Sequence, residues 1–120
     1  YRRSLAVHPL VFCCVDSIET RRFIWDSVRD DLDLFVDGRM TAEAIRVLAA
    51  TPEAGADHYP QTLFPAEQAQ GGACTARTTI YAAHVAAGLM AAGFAKWLRG
   101  MPIDSSISFN LLAVELHVSA

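Results

Sequence analysis

Phe12-Cys13-Cys14-Val15-Asp16-Ser17-Ile18-Glu19-Thr20-Arg21-Arg22 joins an apolar run to a charged, helically spaced segment through a single aspartate. Residues 10–15 are continuously apolar, and Val and Phe favour extended backbone, so they read as a strand. An unbroken run of this kind suits a parallel strand buried on both faces. Ser17 is a suitable N-cap for the next segment. Ile18, Arg21, Arg22, Trp25 and Arg29 recur at helical spacing, so residues 18–29 read as an amphipathic helix. In an open α/β sheet, ligands bind beyond the carboxyl ends of the strands. Asp16 is expected at that position.

Working outward, Leu34-Phe35-Val36 is a short β-prone run ended by the turn signal Asp37-Gly38. Residues 44–49 fit helix or strand, and the weak alternation of Ile45-Arg46-Val47-Leu48 favours strand. Residues 51–72 contain Pro52, Gly55, Pro60, Pro65, Gly71 and Gly72, and read as a long mobile loop. Residues 77–99 form the strongest helical pattern, closed by Gly100 and Pro102. Gly88 and Gly93 lower its helix propensity by about 1 kcal/mol each. They are expected to let another backbone approach closely. Residues 107–118 read as a final strand region. The order of elements gives an α/β fold, a mixed and mostly parallel sheet with packed helices.

Composition bounds the function. The chain has 120 residues, 52% of them apolar, which gives one modest domain, or a fragment of one, with a real core. Net charge is −3 with no Lys/Arg block, which argues against nucleic acid as a partner. Cys13, Cys14 and Cys74 form no disulfide framework and suit a reducing, cytoplasmic setting. The basic start, with Pro9 and Asp16 close behind, does not read as a signal peptide. Residues 80–95 lack Asp, Glu, Lys and Arg but fall short of the ~20 residues a membrane span needs. A buried core helix is the expected reading, so no membrane partner is expected.

The segment from Val11 to Arg21 resembles the strand–Asp–helix signature of the ThiF/MoeB superfamily, the adenylating enzymes related to ubiquitin-activating enzymes. Their pattern is an apolar strand, then Asp with Asn or Ser, then a few residues and Arg. Asp16 and Arg21 match it in place. A second block, Gly72-Ala73-Cys74-Thr75-Ala76-Arg77-Thr78-Thr79, followed by an Ala/Gly-rich helix and Lys96-Trp97-Leu98-Arg99-Gly100, is similar to the family's later region. The ThiF-like proteins of plasmid PRTRC systems are one group it resembles. The resemblance implies the C-terminal part of a Rossmann-like adenylation domain. ATP and Mg²⁺ would activate the C-terminal carboxylate of a small ubiquitin-like or sulfur-carrier protein. A homodimer is also implied, and the apolar character of residues 107–118 makes them the segment expected to contribute to its interface.

Three features depart from the family pattern. The Gly-rich nucleotide loop is absent, as are the basic residues that normally precede the Asp strand. The paired CxxC motifs of many members are absent too, and three cysteines cannot supply a tetrahedral zinc site. The chain by itself is therefore expected to be inactive.

Asp16 and Arg21 are the candidate cofactor-binding residues, with Asp16 also the candidate metal ligand. A strand-end carboxylate can hold the Mg²⁺ that bridges phosphate oxygens, or it can simply cap the next helix. Cys74 is the candidate catalytic nucleophile, since a thiol near a helix N-terminus is favoured as thiolate; the bland alternative is a small inert cysteine. Arg21 and Arg22 fit phosphate contact or ordinary ion pairs with Glu19 or Asp26. Asp37 and Arg39 either line the same crevice or form a plain turn. His84 reads as a hydrogen-bonded core residue. Two readings from other classes stand beside the enzyme: a non-catalytic protein-interaction module keeping the fold, and a dinucleotide-binding domain, which no G-x-G-x-x-G supports.

Overall fold

A computed structural model describes residue 4, residues 6–64 and residues 79–120. Strand β1 (Leu10–Cys13) leads into helix α1 (Ile18–Val28). Strands β2 (Leu34–Thr41) and β3 (Ala44–Ala50) come next, then helix α2 (Ile80–Leu98) and strands β4 (Ser106–Asn110) and β5 (Glu115–Ser119). The five strands form one open sheet in the order β1-β2-β3-β4-β5.

The α/β class holds, but the sheet is mostly antiparallel. Only β1 and β2 run parallel; the β2–β3, β3–β4 and β4–β5 pairs are antiparallel. Connection length is the physical reason. Thr41 pairs with Ala44, so two residues join β2 to β3, and a turn this short can only reverse the chain. Ala42 takes a positive φ of 53° to make it. Asp37-Gly38 is not the turn that its composition suggests; it lies inside β2. Residues 107–118 are likewise two strands rather than one. Their hairpin turn, Leu111-Leu112-Ala113-Val114, has no Gly or Pro to announce it. The Asn110 side chain makes it instead, accepting from the backbone N–H of Leu112 (3.0 Å) and of Ala113 (3.1 Å).

Each helix covers one face of the sheet. On the α1 face, Ile24, Trp25 and Val28 meet Phe35, Leu48, Ala50 and Tyr59. Trp25, Phe35 and Tyr59 form an aromatic triad with centroid separations of 4.6–5.2 Å. On the α2 face, Ala82, Ala86 and Met90 meet Leu34, Val36, Ile45 and Val47. The close approach lies on the strand side: a Cβ on Gly38 would fall 2.5 Å from Met90 Sδ. At Gly88 and Gly93 an added Cβ meets nothing within 4 Å, so these glycines do not serve helix contact. The strand buried on both faces is β2, with Leu34, Phe35, Val36 and Asp37 all at 1% exposure or less. β1 borders only β2, and Phe12 is partly exposed, edge-on to Phe94 at 5.6 Å.

No helix among the described residues is long and apolar enough to cross a membrane. α2 is apolar yet half-exposed, with His84 on its outer side rather than in the core. The His84 Nδ1 lies 2.8 Å from the carbonyl of Ile80. The loop after β3 contributes to the core through Tyr59 and Leu63, the first of which opens a short 3₁₀ turn (Tyr59–Thr62).

Candidate functional site

The parallel pair β1–β2 and the first turn of α1 meet at one corner of the sheet. Cys13 pairs with Asp37, and the chain leaves β1 through Cys14 and Val15 to Asp16. Ser17 caps α1, its side chain accepting from the Thr20 N–H at 3.1 Å. Capping is therefore done by the serine. Asp16 is exposed and makes no hydrogen bond or ion pair among the described residues. Its carboxylate remains open to an incoming cation.

Arg21 behaves differently. It shares the inner stripe of α1 with Ile24, Trp25 and Val28, spaced one turn apart, and is only 6% exposed. A buried guanidinium needs a partner. It finds one in Asp37, itself fully buried: Arg21 Nε lies 2.9 Å from Asp37 Oδ1, and Arg21 Nη2 donates to the carbonyl of Gly38 at 3.2 Å. Asp37 is the hub of this corner. Arg39 Nε donates to Asp37 Oδ2 at 2.7 Å, and the Tyr59 hydroxyl donates to the same oxygen at 3.0 Å. Arg39 goes on to hold the carbonyl and the hydroxyl oxygen of Thr62, both at 2.9 Å. Arg22, exposed on α1, donates to the carbonyl of Leu63 and ion-pairs with neither Glu19 nor Asp26. These bonds tie residues 59–63 to the sheet and to α1.

Thus Arg21 is directed into the fold, while Asp16 is directed out of it. Asp37 and Arg39 belong to the corner as its internal frame. Tyr59 and Thr62 escape a sequence reading because they sit in a proline-containing loop. The signal for Asp37 is present but indirect: an arginine on an apolar helical stripe requires a carboxylate opposite, and Asp37 stands in an otherwise apolar strand.

The two neighbouring cysteines have separate environments. Burial, and then the Asp37 carboxylate, push the Cys13 thiol from an ordinary 9.0 to about 11. Cys14 is exposed. With Cys74 replaced by serine, iodoacetamide at pH 8 is expected to label Cys14 and leave Cys13 unmodified until the chain unfolds. Peptide mass spectrometry reads the two positions separately; labelling of Cys13 in the folded chain would contradict the burial argument. Burial and the charge of Asp37 also hold the Tyr59 phenol protonated, as a donor.

Cys74 lies outside the described residues, as do Arg77 and the first residues of the predicted helix. A surface depression of about 390 Å³ is lined by Trp25, Arg29, Asp30, Ala56, Asp57 and Pro60. Asp16 does not line it. Among the described residues, no group of three or more His, Cys, Asp or Glu is placed to hold a metal ion. Mg²⁺ does not require such a group where substrate phosphates complete its shell, and an unengaged Asp16 carboxylate fits that use. The corner thus offers one free acid on its rim and a framework of fixed guanidinium groups behind it. No protein-family model and no curated protein matches the chain.

Proposed function

We propose that this chain is the C-terminal part of a Rossmann-like, ThiF-type adenylation domain. It would activate the C-terminal carboxylate of a small ubiquitin-like or sulfur-carrier protein. The reading rests on Asp16: a carboxylate just beyond a parallel strand, relieved of capping by Ser17 and free of protein partners among the described residues. Asp16 would hold the Mg²⁺ of Mg²⁺·ATP. Magnesium would supply charge neutralisation on the phosphates as the carrier carboxylate attacks the α-phosphorus, forming acyl-adenylate and releasing pyrophosphate. Arg21 serves the nucleotide indirectly in this reading, by fixing the first turn of α1 against β2. Cys74 would accept the activated acyl group as a thioester, releasing AMP. A cytoplasmic homodimer is part of the same proposal.

A second reading has an observation of its own. On the α2 face, the β4–β5 hairpin presents Ile107, Phe109, Leu116 and Val118, and Leu116 and Val118 are more than half exposed. Such an apolar surface favours a protein-interaction module that keeps the fold without chemistry.

ATP–pyrophosphate exchange separates the two. Full-length protein is expected to exchange label only when a carrier protein with a free C-terminal tail is present. It should also yield a thioester, cleaved by thiol, that Cys74→Ser abolishes. Exchange without a thioester would keep adenylation and remove the role of Cys74. No exchange with any ubiquitin-like or sulfur-carrier protein would leave the interaction module.

A further inference from the structure

The α1 face of the sheet carries one cation that the frame around Asp37 does not use. Arg46 on β3 stands directly opposite Arg39 on β2. Like charges opposite one another across an antiparallel pair are destabilising. Arg39 is neutralised and held by Asp37 and Thr62. Arg46 makes no ion pair or hydrogen bond among the described residues, and its Nε is enclosed without a partner. Asp37 cannot serve Arg46 as well, since its carboxylate oxygens already take Arg21, Arg39 and Tyr59. Burial, and then the neighbouring Arg39, lower the Arg46 pKa, with the Asp37 carboxylate opposing them in part.

The row continues across the sheet. Arg46 pairs with Ser108 on β4, and Ser108 pairs with His117 on β5. Neither side chain makes a hydrogen bond among the described residues. The hydroxyl and the imidazole therefore lie on the same face as the guanidinium, at successive strand spacings of about 4.8 Å. Glu115 is also on this face, two residues along β5 from His117, and forms no ion pair with Arg46.

We propose that Arg46, with Ser108 and His117 beside it on the same sheet face, anchors a binding site for an oxyanion, the phosphate or terminal carboxylate of a ligand lying across β3, β4 and β5. A planar guanidinium with unengaged N–H groups matches either oxyanion in a two-pronged contact. A bound oxyanion would offset the repulsion from Arg39. The site stands two strands from the end of β1, about 10 Å at ordinary interstrand spacing. It requires no ATP chemistry and holds or fails independently of adenylation.

The test tracks the Arg Nε–Hε resonances of the full chain by NMR at low ionic strength. The probes are inorganic phosphate and N-acetyl-diglycine, with chloride as the control. Saturable movement of the Arg46 resonance by either probe is the expected result. A phosphate response alone assigns the site to a phosphorylated ligand, and a peptide response alone to a carboxylate tail. Affinity, followed in the variants through the backbone amides of Ser108 and His117, should fall at least tenfold in Arg46→Gln and less in Arg46→Lys, which keeps the charge and loses the planar fork. Without ligand, Arg46→Gln should melt no lower than the unsubstituted chain, because it removes an unpaired cation from beside Arg39. The proposal is overturned if neither probe exceeds chloride, or if binding survives unchanged in both variants. It is also overturned if Arg46→Gln lowers the melting temperature while affinity is unaltered, the mark of a purely structural arginine.

Discussion

Asp37→Ala is expected to destabilise the fold by about 3–5 kcal/mol, the usual cost of stripping one partner from a buried ion pair. That is a large part of the ~5–15 kcal/mol by which a domain of this kind is stable. The carboxylate is fully buried and accepts from Arg21, Arg39 and Tyr59. Its removal leaves the Arg21 guanidinium enclosed in α1's inner face without a counter-charge. The same change frees the Tyr59 hydroxyl in the aromatic core and loosens Arg39, which fastens Thr62. Urea unfolding, monitored through the buried Trp25, measures the loss. Asp37→Asn should cost less, since an amide oxygen still accepts one of the three hydrogen bonds. Restoring balance is the sharper control: Arg21→Met with Asp37→Leu should recover much of the stability lost in Asp37→Ala, because well-packed apolar replacements of a buried pair are often neutral. A loss below about 1 kcal/mol in Asp37→Ala would show that the corner does not depend on its hub.

The same corner explains what a sequence reading can reach. β1, α1 and the cap at Ser17 come from local rules, since an apolar run, a capping hydroxyl and a 3.6-residue stripe each speak for themselves. Strand β3 is readable for the same reason, as Ile45 and Val47 alternate with Arg46. Sheet direction is not readable, because it depends on turns. Asp37-Gly38 carries a turn composition yet lies in β2, where the carboxylate is demanded by Arg21 from another element and the glycine by the bulk of Met90. The turns at Ala42-Glu43 and Leu111–Val114 lack glycine and proline, so the two hairpins stay hidden. At the candidate site, Asp16 is visible because strand ends are signalled locally. The inward course of Arg21 is visible only in part. Helical spacing places it with Ile24, Trp25 and Val28, but naming its partner requires knowing that β2 lies beneath α1. The burial of Tyr59 and the lack of a partner for Arg46 among the described residues are properties of tertiary packing and leave no trace in spacing.

Asp16→Ala, introduced into the full-length protein, is expected to reduce ATP–pyrophosphate exchange at least 100-fold while changing stability by less than about 0.5 kcal/mol. The first figure corresponds to about 2.7 kcal/mol of transition-state stabilisation, within the range found when one preorganised charge-stabilising group is removed. The second rests on the surroundings of Asp16: the side chain is exposed, and Ser17 carries the cap, so α1 loses nothing when the carboxylate goes. The pairing of these two outcomes gives the experiment its force. A capping or structural aspartate would lower stability and exchange together. A metal-holding aspartate lowers exchange alone, and the residual activity should need a higher Mg²⁺ concentration for half-saturation. Ser17→Ala is the complementary variant: it should cost about 1 kcal/mol of stability through the lost cap and leave the Mg²⁺ requirement where it was. Because Arg21 and Asp37 hold the same helix turn against β2, the Asp16 variant tests the rim of the corner while its frame stays intact. Exchange that persists undiminished in Asp16→Ala would remove this carboxylate from the chemistry, and the adenylation reading would lose the observation on which it rests.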